Sequence, residues 1–292
     1  FIADNPKVGS DFFIPRDKLR NAQNKSRVII EFTDWPETTG CPFGEVIKII
    51  DGEINLKTEI DSNIEIFNLR HIFSEKIKQE LASLSSKIIK KDIKGRKDFR
   101  DNTTFTIDPA DAKDFDDAIS IKFLTNKNIL IGIHIADVSH YVKSSSEIDK
   151  EALLRAFSVY FPGKVIPMLP EKLSNEICSL RPQEDKLTFS VELEICDFSQ
   201  IKTVWIGPGI INSNQRFTYE EAEKCILSKK GDYAKDLGAL NKIAKNLRLN
   251  RLKNGSIDFE RSDVSFNLNE NGEPISVEKK CPLNSHKLVE EF

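Results

Sequence analysis

The sequence predicts an α+β protein in which a small all-β barrel precedes a mixed α/β domain. Three observations lead there. Residues 8 to 56 alternate short apolar runs with Pro, Gly and Asn-rich turns and show no helical period. Between Ser74 and Lys91 the apolar spacing changes to steps of four and three. Beyond Thr103, strand-like and helix-like segments alternate. With 292 residues, 39% hydrophobic and 30% charged, the chain suits a folded globular protein and excludes a fibre or a disordered tail. About two domains are expected at roughly 150 residues each.

The elements follow in order. Strands are expected at Asp11 to Pro15, at Arg27 to Phe32, where Val28, Ile30 and Phe32 alternate, and at Gly44 to Ile50. Phe12, Phe13, Phe32, Trp35 and Phe43 are interleaved with Arg16, Lys18, Arg20, Lys25 and Arg27. Barrels of the OB or cold-shock type use that pairing to stack unpaired bases and neutralise phosphates, although core packing also calls for aromatics. Ser74 caps a helix carrying Ile77, Leu81, Leu84 and Ile88, with Lys90 and Lys91 near its negative end. From Lys76 to Arg100, nine Lys or Arg stand against three Asp or Glu, within a chain of net charge -3. A basic segment of this kind is either a polyanion-binding surface or a solvated helix face. Ile129 to Val138 reads as a nearly continuous apolar strand, and Leu187 to Ile195 as a half-buried one paired with Lys202 to Ile211. Thr218 and Glu221 form a capping box for a helix to about Ser228, and Leu237, Leu240, Ala244 and Leu247 mark another. Asn271-Gly272 is a hairpin turn between Val264 to Leu268 and Ile275 to Val277.

Cys41, Cys178, Cys196, Cys225 and Cys281 are odd in number, scattered and without a CxxC pair. They read as reduced buried thiols of a cytoplasmic protein and argue against a zinc knuckle. No apolar run approaches the roughly 18 residues needed to cross a bilayer, and FIADNPKVGS lacks the pattern of a signal peptide. No membrane association is expected. The chain begins at Phe1 and its one methionine is Met168, so a piece of a longer polypeptide is expected.

The chemistry concentrates in Thr106-Ile-Asp-Pro-Ala-Asp-Ala-Lys-Asp-Phe-Asp-Asp-Ala118, which holds Asp108, Asp111, Asp114, Asp116 and Asp117. Two carboxylates about 4 Å apart repel by about 4 kcal/mol at an effective dielectric near 20, so a folded cluster needs cations. All-carboxylate ligation selects Mg2+ or Mn2+. An EF-hand is excluded, because counting from Asp108 puts Ala110 third, Lys113 sixth and no Glu twelfth. Phe115 and Ala118 among the acids point to a loop anchored on a core. Hard-metal carboxylate clusters serve attack by water on phosphate esters, which leaves nuclease and phosphatase both open.

That segment resembles the signature of the catalytic (RNB) domain of the ribonuclease II and ribonuclease R family. The resemblance continues through Ile135-Ala-Asp-Val-Ser-His-Tyr-Val142, Ser158-Val-Tyr-Phe-Pro162, Val165-Ile-Pro-Met-Leu-Pro170 and Leu173-Ser-Asn-Glu-Ile-Cys-Ser-Leu180. Phe12 to Trp35 is similar to the family's second cold-shock domain. The resemblance implies an OB/cold-shock domain over 1–56, a linker with a basic helix over 57–102 and an RNB domain over 103–292. It implies a processive 3′ to 5′ exoribonuclease that acts with Mg2+, or Mn2+, on single-stranded RNA and releases nucleoside 5′-monophosphates. Asp108, Asp114, Asp116 and Asp117 would be the catalytic and metal-site acids, with Asp116 most directly tied to catalysis. Tyr160 and Phe259 would clamp bases, and Tyr219 and Glu290, the latter beside the similar Glu291, would contact ribose. The family's catalytic arginine and S1 domain would lie beyond Phe292, so residues 1–292 alone are expected to bind RNA with little turnover. A monomer is expected. An RNA-binding or regulatory protein with the same fold is the alternative, against which the intact four aspartates speak.

His134 and His140 flank a strand end near Asp137, where packing and hydrogen bonding account for them better than metal ligation does. Ser139 lies beside His140, but no Gly-x-Ser-x-Gly elbow accompanies it.

Overall fold

In the computed structural model, described for residues 1–50, 55–198, 200–257, 263–269 and 273–292, the chain forms two compact units. One comprises Phe1–Arg70, Phe161–Gly163 and Asn267–Ser276, the other His71–Tyr160, Lys164–Phe266 and Val277–Phe292.

In the first unit β1 (Arg27–Asp34) and β2 (Phe43–Ile50) pair antiparallel, with irregularities at Ile29/Ile30 and Phe32/Asp34. The strand expected over Asp11 to Pro15 contracts to a single bridge between Phe13 and Phe43. Pro15 has no N–H to extend the ladder, and Arg16–Lys18 turns instead into a short 3-10 helix. Sequence periodicity did not reveal α1 (Leu56–Ile66), whose start is fixed by a capping box between Asn55 and Thr58. Its Ile60 and Ile64 are buried.

The second unit opens with α2 (Glu75–Ser83), capped by Ser74 through the Ile77 N–H. The helix stops at Ser83, short of Lys91. Leu84 is extended (ψ 130°), and the Ser85 hydroxyl accepts from the Lys87 N–H at 3.0 Å, the local bonding by which serine competes with a helix. Lys90 and Lys91 therefore belong to a separate turn, α3 (Lys90–Ile93).

A seven-stranded sheet follows, in the order β11-β4-β5-β6-β9-β10-β3. Its strands are β3 (Lys97–Asp98), β4 (Thr103–Asp108), β5 (Asp117–Phe123), β6 (Ile129–Ala136), β9 (Asp185–Cys196), β10 (Gln200–Asn212) and β11 (Gln215–Thr218). The centre is antiparallel, and both edge pairs are parallel. The connections include α4 (Val138–Tyr141), α5 (Glu147–Arg155), the short strands β7 (Val159–Phe161) and β8 (Lys164–Ile166), and a π-helix at Lys172–Ile177. After β11 come α6 (Tyr219–Ser228), α7 (Ala234–Lys253), β12 (Asp263–Leu268), β13 (Pro274–Lys280) and α8 (Asn284–Glu291). The Asn271-Gly272 turn lies outside the described residues.

Each face of the sheet has its own core. Phe105, Ile107, Ile119, Ile131 and Phe217 pack with Ala222, Leu237, Leu240, Ile243 and Leu288 of α6 to α8. On the other face Phe99, Ala118, Ala136 and Ile211 pack with Ile77, Ile148, Leu173, Ile177 and Leu180. The simple apolar-in reading of β9 is overturned by this second layer: Thr188 and Ser190 are 0% exposed, whereas Phe189 is 51% exposed. The buried hydroxyls are satisfied, Ser190 by the His134 ring and by Thr188, each at 2.8 Å.

Buried Arg155 ties the end of α5 to its surroundings. It donates to Glu151 at 3.0 Å and to the carbonyls of Pro167 and Ile72 at 2.9 and 3.1 Å. Its guanidinium lies 3.8 Å from the centre of the Phe73 ring. Ala156, immediately after the helix, sits at φ +66°, where a side chain costs energy that glycine would not.

Candidate active site

The antiparallel pairing of β4 with β5 brings Asp108, the last residue of one strand, and Asp117, the first of the next, to one end of the sheet. The irregular loop between them carries Asp111, Asp114 and Asp116. Asp108 is 7% exposed, and its Oδ2 is buried without a hydrogen-bond partner. Burial, opposed by the nearby Thr106 hydroxyl and the Arg216 charge and reinforced by repulsion from Asp117 and Asp114, pushes its carboxyl up to about 6. Burial and then Asp114 and Asp117 push Asp116 up to about 6 as well. Burial also raises Asp117. These acids therefore feel one another's charge, although among the described residues no three His, Cys, Asp or Glu side chains stand in a metal-ligating arrangement. An unpartnered buried carboxylate oxygen amid like charges is a defect that a hard cation corrects, and the all-oxygen donor set fits Mg2+ or Mn2+.

The backbone of the loop is tied at several points. Ser179, 0% exposed, accepts from the Phe115 N–H at 3.1 Å and donates to the Lys113 carbonyl at 2.9 Å. The Leu180 N–H donates to the Phe115 carbonyl at 2.8 Å, and the Ala136 N–H to the Asp116 carbonyl at 2.9 Å. Arg216, on β11 opposite Thr106, donates to the Pro109 carbonyl and places its guanidinium 5.5 Å from the Phe115 ring.

Tyr219, at the start of α6, joins this neighbourhood. Its hydroxyl is raised first by burial and then by Asp117 and Asp108. Its ring stacks on His286 at 4.0 Å and 9°, and its carbonyl accepts from Ser285 at 2.8 Å. Glu290 is engaged elsewhere, with Arg248 at 3.2 Å and Arg251 at 3.8 Å. The adjoining Glu291 is held by the same two arginines, with its side chain 5% exposed against 56% for Glu290. Tyr160 is 69% exposed. Phe259 lies outside the described residues.

His134 is fully buried between Ser120 and Ser190, each at 2.8 Å, and burial pushes its pKa down to about 3. That is a neutral packing residue. His140 lies 3.4 Å from the Arg96 guanidinium, and Arg96 forms a 2.6 Å ion pair with Asp137. In the first unit the aromatics divide: Phe13, Phe32 and Trp35 are 53%, 58% and 56% exposed, whereas Phe12 is half-buried and packs edge-on against Phe1.

Sequence reasoning missed Ser179, Arg216 and His286. Ser179 falls within a segment that carries the family resemblance, and Arg216 stands three residues before Tyr219. Neither position has a spacing signal of its own.

The sequence model of the RNB domain matches residues 96–292, and that of a cold shock domain matches residues 1–74. With β1 and β2, the latter match supports an OB-type β domain at the N-terminus. Ribonuclease R of Thermotoga maritima is 38% identical over 300 aligned residues, covering 100% of this chain and 42% of that protein. Ribonuclease R of Escherichia coli is 30% identical, covering 99% and 36%. The chain thus spans about two fifths of the length of these relatives. Among solved structures, Mycoplasma genitalium RNase R in complex with double-stranded RNA is similar at a TM-score of 0.90 and 26% identity, over 99% of this chain and 52% of that one. The same enzyme with ribose-methylated single-stranded RNA gives 0.89 at 26% identity, over 99% and 46%. Yeast Ssd1, a pseudonuclease, shares the fold at a TM-score of 0.67 and 24% identity, over 82% of this chain and 30% of that one.

Proposed function

The chain belongs to the RNB family, and on that premise we propose that its protein is a 3′ to 5′ exoribonuclease that hydrolyses single-stranded RNA processively to nucleoside 5′-monophosphates. The observation that carries the reading is the buried, unpartnered Oδ2 of Asp108 in a group of acids where Asp108 and Asp116 are pushed up first by burial and then by neighbouring carboxylates. Asp108, Asp114, Asp116 and Asp117 would hold Mg2+ or Mn2+, which supplies Lewis acidity to water and to the scissile phosphate. Among them Asp116 would be the acid most directly tied to catalysis, as the family resemblance implies. Tyr219, braced by His286, would face the ribose, where a 2′-hydroxyl separates RNA from DNA. Tyr160 and Phe259 would stack on bases, with Glu290 as a second ribose contact. The exposed Phe13, Phe32 and Trp35 supply a stacking surface for unpaired nucleotides. Among the described residues no helix is long and apolar enough to cross a membrane, and a cytoplasmic monomer is part of the proposal.

An RNA-binding protein without turnover is the second reading. It is favoured by the absence, among the described residues, of a preformed ligand triad. One experiment separates the two: the full polypeptide is incubated with 5′-labelled and 3′-labelled single-stranded RNA and Mg2+. Immediate release of the 3′ label as mononucleotide, with a ladder of shortened 5′-labelled RNA, is the expected result. Binding without shortening would establish the second reading.

A further inference from the structure

We propose that Ser179 is a positioning residue for the aspartate loop, a single buried hydroxyl that fixes the peptides on both sides of Asp114 and so sets the carboxylates that receive the divalent ion. The inference rests on the metal-site reading above and adds to it the device that holds the site in shape.

The loop has a mechanical problem. Between the ends of β4 and β5 it carries three acids in irregular backbone, and like charges at its two ends push it apart. Loops of this kind drift unless their backbone groups are bonded to something rigid. Ser179 supplies such a bond from outside the loop, two residues after the π-helix. Its oxygen accepts from the Phe115 N–H at 3.1 Å, and its proton goes to the Lys113 carbonyl at 2.9 Å. A hydroxyl is the smallest group that donates and accepts at one atom, and here both capacities are spent on the residues that flank Asp114. With Ser179 at 0% exposure, water has no access to replace it. The next residue continues the tie, the Leu180 N–H meeting the Phe115 carbonyl at 2.8 Å. With Lys113 and Phe115 fixed, the Asp114 backbone has little freedom left. Asp116 is held on its far side by the Ala136 N–H at 2.9 Å. The ion then has only side chains to rotate, and ordering a side chain costs less than ordering a backbone segment. Groups that orient metal ligands in this way typically change metal affinity by about 10- to 100-fold when removed.

The test uses the full polypeptide without RNA and reads Mn2+ binding by electron paramagnetic resonance, alongside thermal unfolding and RNA affinity in EDTA. Ser179→Ala is expected to weaken Mn2+ binding about tenfold or more while RNA affinity in EDTA stays within about threefold. Ser190→Ala is the control. It removes an equally buried hydroxyl, on β9, that is bonded to His134 and Thr188 rather than to the aspartate loop, and it should lower the melting temperature without changing Mn2+ affinity. Ser179→Cys keeps a weak donor and acceptor at the site and should fall between wild type and Ser179→Ala. It also serves as the informative variant if the alanine protein does not fold. Mn2+ affinity within about twofold of wild type in Ser179→Ala, or in Ser179→Cys where alanine is not obtained, overturns the role of Ser179. An equal loss in Ser190→Ala would trace the effect to general stability and also overturn it. A wild-type protein that binds no Mn2+ refutes the metal-site reading itself.

Discussion

Asp108→Asn should stabilise the metal-free protein, and the size of the gain follows from the site. The Asp108 carboxyl moves from 3.8 in the unfolded chain to about 6 in the folded one, mainly through burial. At 1.36 kcal/mol per unit this is about 3 kcal/mol at most, which relaxation and water penetration around the buried carboxyl reduce to roughly 1–2 kcal/mol. The folded state holds the proton more tightly, so the stabilisation from protonation is fully present below pH 3.8 and is lost as pH rises through about 6. Asparagine does not ionise and escapes that loss. In EDTA at pH 7.5 the variant should therefore melt higher than wild type by roughly 2–8 °C, at about 2–4 °C per kcal/mol. The two curves should converge near pH 4. Saturating Mn2+ should reverse the order, because the wild type gains binding free energy that the variant has given up. Differential scanning calorimetry across pH 4 to 8, with and without Mn2+, reads all three effects. A variant that melts below wild type in EDTA at pH 7.5, or an offset that does not shrink toward pH 4, would refute the reasoning.

Asp116→Asn should slow hydrolysis by roughly a hundred- to a thousandfold or more and leave RNA affinity within a few-fold, since binding is spread over many phosphate and stacking contacts; single-turnover rates with filter-binding constants check it. Replacing Tyr219 by Phe together with Glu290 by Gln should narrow the gap between RNA and DNA cleavage, and an unchanged ratio would remove both from the ribose site. Ala156→Gly should stabilise the fold by about 1 kcal/mol, because the position has φ +66°, as measured by chemical denaturation; a destabilised variant would show that the turn is not strained.

The fold was legible wherever the pattern was local. The Thr218 and Glu221 capping box appears as read, with Thr218 accepting from the Glu221 N–H and Glu221 returning the bond, and β9 pairs with β10 as expected. Failures arose where tertiary contacts overruled pattern. Thr188 and Ser190 look like the solvent face of a strand, but they are buried because a second layer covers that side of the sheet. The helix from Ser74 kept an apolar period past Ser83, yet Ser85 turned the chain out of it. At the site, Asp108, Asp114, Asp116 and Asp117 were visible because they are neighbours in sequence, and Tyr219 because the resemblance pointed to it. Ser179 and Arg216 reach the loop from 66 and 107 positions away, and no sequence periodicity records contacts of that span.

The central claim is that the aspartates hold a hard ion against the scissile phosphate. It is tested most directly by replacing one non-bridging oxygen of the 3′-terminal linkage of an oligoribonucleotide with sulfur. Mg2+ binds sulfur poorly and Mn2+ accepts it better. The account predicts that one diastereomer is hydrolysed about tenfold or more slowly than the oxygen substrate in Mg2+, and that Mn2+ restores most of the rate. Equal rates for the oxygen substrate and both sulfur diastereomers in Mg2+ would contradict it.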